Sequence, residues 1–213
     1  MCNAISVIAF MVGRGMKKLV FGVAVMLLPL VVAAQEPVKV PDEVKPFVEA
    51  KREAVALESG DLNGDGRKDF VLVLSDGVAE RERYDEGAGS RSVMILVREA
   101  DNSLKLAARN DLVAMCQACG GAFGDPFEGV DIKGTKFTVL NYGGSADRWA
   151  YHYTFAYSRR DKTWQAVRVE EQNFHTLDPD RTMKRRIYTP PKDFGLITFG
   201  DFDPDNFRRK GKR

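Results

Sequence analysis

Trp149-Ala-Tyr-His-Tyr-Thr-Phe-Ala-Tyr-Ser158 alternates rings with small or polar side chains. A β-strand sends successive side chains to opposite faces, so Trp149, Tyr151, Tyr153, Phe155 and Tyr157 share one face. Five rings bury a large apolar area, so that face reads as core. A stacked-aromatic binding surface is the alternative. Arg159-Arg-Asp-Lys162 then forms a turn, and Thr163-Trp-Gln-Ala-Val-Arg-Val169 returns as the second arm of a hairpin.

Outward from this hairpin the chain offers more strands. Phe70-Val-Leu-Val-Leu74 and Val93-Met-Ile-Leu-Val97 are short continuous apolar runs bounded by turn residues, as in strands covered on both faces. Asp101-Asn-Ser103 turns into Leu104-Lys-Leu106, and Gly134 precedes the alternating Phe137-Thr-Val139. Residues 46–57 fit a short helix with Pro46 in its first turn, or a strand over Ala54–Leu57. Phe194–Phe199 is a last apolar piece. The pattern predicts an all-β fold of short antiparallel strands, partly propeller-like or a sandwich, with room for a short N-terminal helix.

The 213 residues are 44% hydrophobic and 29% charged, with a net charge of +2. Bulk charge therefore excludes a strong nucleic-acid binder. Met16-Lys-Lys18 opens an apolar run that ends in Val32-Val-Ala-Ala-Gln35, the layout of a cleaved secretory signal. The run is shorter than the roughly 20 residues a membrane span needs. The expected organisation is an upstream extension plus signal over 1–34 with the true start at Met16, a lead-in over 35–50, and one β domain over 51–207. A basic disordered tail, 208–213, completes it. After signal removal 29 basic residues face 30 acidic ones, in a periplasmic or secreted protein with no integral membrane segment.

In an oxidising compartment Cys116 and Cys119 of Cys-Gln-Ala-Cys-Gly-Gly read as a local disulfide. A redox pair needs a helix running on from the motif, which Gly120-Gly121 opposes. A zinc site with His152 and His175 has the atom types without a recognisable spacing. Either histidine could serve an envelope enzyme acting on cell-wall glycans, His175 with a nearby acid being the better placed. No standard phosphate loop is present, and thirty acids form pairs by chance, so no catalytic residue is assigned.

Asp61-Leu-Asn63-Gly-Asp65-Gly66-Arg67-Lys-Asp69 is the specific motif. Oxygen side chains recur at positions 1, 3, 5 and 9, glycine at 6 permits a sharp turn, and the Arg67 carbonyl supplies position 7. Calcium takes six to eight such oxygens, so Ca²⁺ is the expected cofactor, held by Asp61, Asn63, Asp65, Arg67 and Asp69. An EF-hand would place Glu at position 12, where this chain has Leu72. The motif resembles the calcium loops of integrin-type and bacterial β-propeller repeats, which run directly into a buried strand. Asp201-Phe-Asp203-Pro-Asp205 repeats the acidic spacing without the glycine.

With the loop, Phe123-Gly-Asp-Pro-Phe127, Asn141-Tyr-Gly-Gly-Ser145 with Arg148-Trp149, Thr154–Ser158 with Trp164, and Phe174-His-Thr176 with Pro191–Gly195 resemble a group of xanthomonad-type periplasmic proteins. These are linked to immunity against secreted cell-wall hydrolases and are similar to periplasmic lysozyme inhibitors. The resemblance spans roughly residues 55–203. It implies a non-enzymatic partner of a lysozyme-like peptidoglycan hydrolase, inhibiting it by a loop placed in the cleft. The Ser-Gly-x-x-Tyr loop of such inhibitors has no copy here. Ser59-Gly60 belongs to the calcium motif, and Gly143-Gly144-Ser145 runs in the opposite order. Loops 77–91 and 141–148 are therefore the candidate contacts.

Overall fold

The two apolar runs are adjacent antiparallel strands, Phe70 facing Leu96 and Val73 facing Val93. They belong to a four-stranded sheet of β1 (Arg52–Gly60), β2 (Asp69–Asp76), β3 (Arg91–Arg98) and β4 (Leu104–Asn110), hydrogen-bonded in that order. A second sheet holds β5 (Phe127–Lys133), β6 (Lys136–Gly144), β7 (Asp147–Ser158), β8 (Thr163–His175) and β9 (Lys184–Tyr188), also in chain order. The structure is a computed structural model that describes residues 37–77 and 88–210, with backbone alone for 209 and 210. The signal reading of 1–34, the start at Met16 and most of loop 77–91 lie outside the described residues. No helix among the described residues is long and apolar enough to cross a membrane.

The two faces of β2 and β3 are covered by different partners. Val71, Val73, Val93 and Ile95 join Phe137, Val139, Tyr153, Phe155 and Val169 of the second sheet in one core, so the sheets stack face to face. Phe70, Leu72, Leu74, Met94 and Leu96 face the other way, onto Val40, Val44, Phe47 and Val48 of the lead-in. The architecture is thus a sandwich, with the lead-in as a cover on its smaller sheet. The ambiguity over 46–57 resolves into a 3₁₀ turn, Lys45–Phe47, followed by β1. Ala54 and Leu57 of β1 pack under the lead-in, while Val55 and Ala56 pack on the inter-sheet core, with a bulge between Ala54 and Ala56.

Four elements add to or differ from the expectation. β8 continues to His175 because β7 opposes it along that whole length. β5 and β9 are the sheet's two edges, β5 interrupted by a bulge between Phe127 and Gly129 and β9 mostly cationic. Phe194–Phe199 forms no strand and makes one bridge, Gln165 to Thr198. It is nonetheless core: Phe194, Ile197, Phe199, Phe202 and Phe207 are buried, and Phe199 packs edge-on against Phe137 and Phe155. The C-terminal segment is an aromatic wedge in the sandwich, fixed by Ala166 N–H to the Ile197 carbonyl (3.0 Å) and Phe199 N–H to the Trp164 carbonyl (2.7 Å). The chain then turns into α2 (Phe207–Lys210), whose Arg208 pairs with Glu171. Residues 211–213 lie outside the described residues.

Candidate metal centre and contact surface

Residues 61–68 connect β1 to β2 at a seam between the sheets. Gly60 backs onto Ile132 of β5 so closely that a β-carbon there would lie 2.9 Å from its Cγ2. Leu62 is fully buried in the inter-sheet core and anchors the loop. Gly64 (φ 77°) and Gly66 (φ 84°) adopt the left-handed conformation that the sharp turn requires. Both Asp61 oxygens turn inward, accepting from the N–H groups of Gly64 (2.8 Å), Asp65 (3.0 Å) and Gly66 (2.9 Å). Asn63 Oδ1 accepts from Asp65 N–H, and its amide donates to Asp65 Oδ2 at 2.9 Å.

Burial opposes ionisation of Asp65. The Arg67 N–H, the Asn63 amide and the Arg67 guanidinium (2.7 Å) outweigh it and hold the carboxyl below the usual range. Asp69 is different. It is fully buried, and its two oxygens accept from Leu62 N–H and Arg98 N–H, both at 2.9 Å. Burial nevertheless pushes its carboxyl up, and the charges of Asp65 and Asp61 add to that push. The loop therefore concentrates negative charge beside a buried acid, an arrangement that a divalent cation relieves. Among the described residues no three Asp, Glu, His or Cys side chains converge on one point. Asp61, Asn63 and Asp65 lie together on the loop, whereas Asp69 ties it to the end of β3. Leu72, the EF-hand's twelfth position, is buried in β2.

Cys116 and Cys119 form a disulfide with a Cα–Cα separation of 5.1 Å. A 3₁₀ segment, Gln117–Phe123, follows and is broken at Gly121 (φ 65°), so no α-helix runs on from the pair. Gln117 and Ala118 N–H bond to the carbonyls of Gly89 and Ala88. The clip thus holds the far end of the 77–91 loop. In the second acidic run Asp201 accepts from Thr198 Oγ1 (2.6 Å), while Asp203 accepts from Asp205 N–H (2.9 Å) and the Asn206 amide (2.8 Å). Those carboxylates build turns.

Neither histidine bonds to a carboxylate among the described residues. His175 Nδ1 accepts from Leu177 N–H at 3.2 Å, closing a turn. His152 stands on the outer face of the larger sheet, opposite Glu170. Burial lowers its affinity for a proton, against the pull of Glu170. The five odd-numbered rings of β7 do share a face: Tyr153 and Phe155 are buried in the core with Tyr151 and Tyr157 against it, and Trp149 stacks on Tyr151 (5.0 Å, 12° between planes).

Residues 141–148 are not the irregular loop expected; they are two strand ends and a tight turn. Gly144 (φ 106°) is obligatory there, since a β-carbon would lie 2.1 Å from the Asp147 carbonyl oxygen. Three segments meet at this end of the larger sheet. Phe123 packs edge-on against Tyr142 (4.9 Å) and under the Arg148 guanidinium (4.5 Å). Thr176, opening the β8–β9 connection, donates its N–H to the Ala146 carbonyl at 2.9 Å. That connection contains α1 (Pro179–Thr182), capped by Asp178. A cleft of about 460 Å³ opens beside it over Trp149, Phe174 and His175, rimmed by Arg148, Arg181 and Lys184. The sequence reading missed the β8–β9 connection as a surface feature, although the cationic run Arg181–Arg186 was visible.

No family model matches this chain, and no curated protein matches it. Among solved structures it is similar to one described as the structure of a Xanthomonas type IV secretion system related protein, at 17% identity and a TM-score of 0.36. The match covers 68% of this chain and 58% of that one, so it spans less than two thirds of the neighbour's length. The likeness is too distant to bear on fold or function.

Proposed function

We propose that this chain is an exported, calcium-stabilised β-sandwich that binds and inhibits another protein, a peptidoglycan hydrolase. The observation that carries the binding role is the end of the larger sheet where three segments converge. A rigid hairpin, a 3₁₀ segment and a short capped helix there present Phe123 and Leu177 to solvent, Leu177 being 88% exposed. Exposed rings and aliphatics beside cationic side chains, on a scaffold fixed by backbone bonds, suit protein recognition. The Met16–Gln35 pattern supports export, and the Cys116–Cys119 disulfide suits an oxidising compartment. The segments shared with the immunity proteins support a hydrolase as the partner.

In this reading Ca²⁺ would be held by Asp61, Asn63, Asp65, the Arg67 carbonyl and Asp69. When bound it would supply charge neutralisation at the seam of the sheets. The chain's own residues do the rest: Leu62 anchors the loop in the core, and Asp69 fixes it to β3. The test is a peptidoglycan-clearing assay with a panel of lysozyme-type hydrolases and excess protein, run in calcium and in chelator. Protection that needs calcium is expected. Clearing by the protein alone would make it an enzyme, and no effect on any hydrolase would refute the inhibitor reading.

A further inference from the structure

Among the described residues β9 ends the five-stranded sheet and pairs on one side, with β8. Its sequence, Lys184-Arg-Arg-Ile-Tyr188, is exposed over its first four residues. Arg185 is committed to Glu170 on the outer face of the sheet. Lys184 and Arg186 alternate to the opposite face and have no acidic partner among the described residues, since the Glu171 carboxylate is taken by Arg208 and Tyr188. Arg181 precedes them, largely exposed and in a long ion pair with Asp178 (3.8 Å). The same stretch carries exposed Leu177, Met183 and Ile187, three of the seven large apolar side chains that the described surface exposes. In a chain of almost balanced charge, Lys184, Arg186 and exposed aliphatics thus gather on one short segment whose backbone edge has no strand partner among the described residues.

An open strand edge binds extended backbone, and its side chains choose which backbone. Lysine and arginine along the edge repel a second copy of the same edge and favour an acidic strand. The aliphatic groups add apolar contact on either side. We propose that β9 is a docking edge for an extended, acidic segment of a partner protein, which adds to the larger sheet as a sixth strand. This rests on the reading of the chain as a protein binder, and on neither calcium nor the identity of the partner.

The test is fluorescence anisotropy of a labelled ten-residue peptide alternating Glu with Val, titrated with the exported chain. Binding is expected, with none for the matched Lys–Val peptide. The double variant Lys184→Glu/Arg186→Glu should weaken it about tenfold or more, while Lys105→Glu/Lys133→Glu, which reverses as much charge elsewhere, should not. Proline at alternate positions of the peptide should abolish binding, because the strand ladder needs the backbone N–H groups. Equal binding by the β9 variant, or indifference to proline, would overturn the proposal. The wild-type chain is also run in the clearing assay. Hydrolase protection without peptide binding would remove the docking edge and leave the inhibitor reading intact, and peptide binding without protection would do the reverse.

Discussion

Replacing Asn110 by alanine removes the clasp between the smaller sheet and the aromatic wedge. Asn110 is 3% exposed at the end of β4. Its amide donates to the carbonyls of Phe199 (2.6 Å) and Phe202 (2.7 Å), and its Oδ1 accepts from the N–H groups of Leu112 (2.8 Å) and Val113 (3.0 Å). Each buried polar group left without a partner costs about 1–3 kcal/mol. Water can reach Leu112, a neighbour on the surface, so the loss in Asn110→Ala should be about 3–5 kcal/mol rather than the full sum. Asn110→Asp keeps the two acceptor bonds but turns a carboxylate toward two carbonyls. It should therefore be as damaging at neutral pH and recover partly as the acid protonates and can donate. The assay is urea unfolding followed by fluorescence of Trp164, which is buried beside the wedge, at neutral and acidic pH. A loss below about 1 kcal/mol for Asn110→Ala, or a wild-type curve for Asn110→Asp at pH 7, would refute the reasoning.

Other consequences follow from single groups. Glu170 is buried between Arg185, which contributes most, Arg168 and Gln172, and its carboxyl is held down to about 2 from an ordinary 4.5. A depressed acid stabilises the fold above its unfolded value, so stability should fall as pH drops from about 4.5 toward 2. The two arginines are partly solvated, which reduces the loss to about 1–2 kcal/mol, and Glu170→Gln should flatten that limb of the pH–stability curve. Gly144→Ala should lower stability by about 2–3 kcal/mol and, by rebuilding the hairpin turn, weaken hydrolase protection further than melting alone explains. Breaking the short Cys116–Cys119 loop with paired serines should cost only about 2 kcal/mol by urea titration, and a loss twice as large would show that the clip braces more than its own segment.

Strand periodicity made the central hairpin and the two-faced strands legible, because interior strands must satisfy packing on known faces. Phe70–Leu74 even announced a second cover, which the structure supplies as Val40, Val44, Phe47 and Val48. β9 escaped notice for the same reason in reverse: an edge strand of Lys-Arg-Arg has no buried face to imprint a pattern. Phe194–Phe199 is legible as an apolar piece and no more, because its rings fill the core from turns, where periodicity has no meaning. At the candidate site, spacing alone identified the Asp61–Asp69 loop. It did not reveal that Asp69 spends both oxygens on Leu62 and Arg98, since Arg98 is 29 residues away and meets it only through the β2–β3 register. The surface at the β8–β9 connection depends on three segments meeting in space, which no linear motif records.

The loop's role as a calcium centre is tested most directly by thermal unfolding of the exported chain and of Asp65→Ala, each in calcium and in chelator. Calcium at a hundredfold excess over its dissociation constant contributes about 2.7 kcal/mol, or roughly 5–10 °C in a domain of this size. The account predicts that shift in the wild type, its absence in Asp65→Ala, and nearly coincident melting of the two in chelator. An equal loss for Asp65→Ala in both conditions, or a wild-type protein indifferent to calcium, would contradict it.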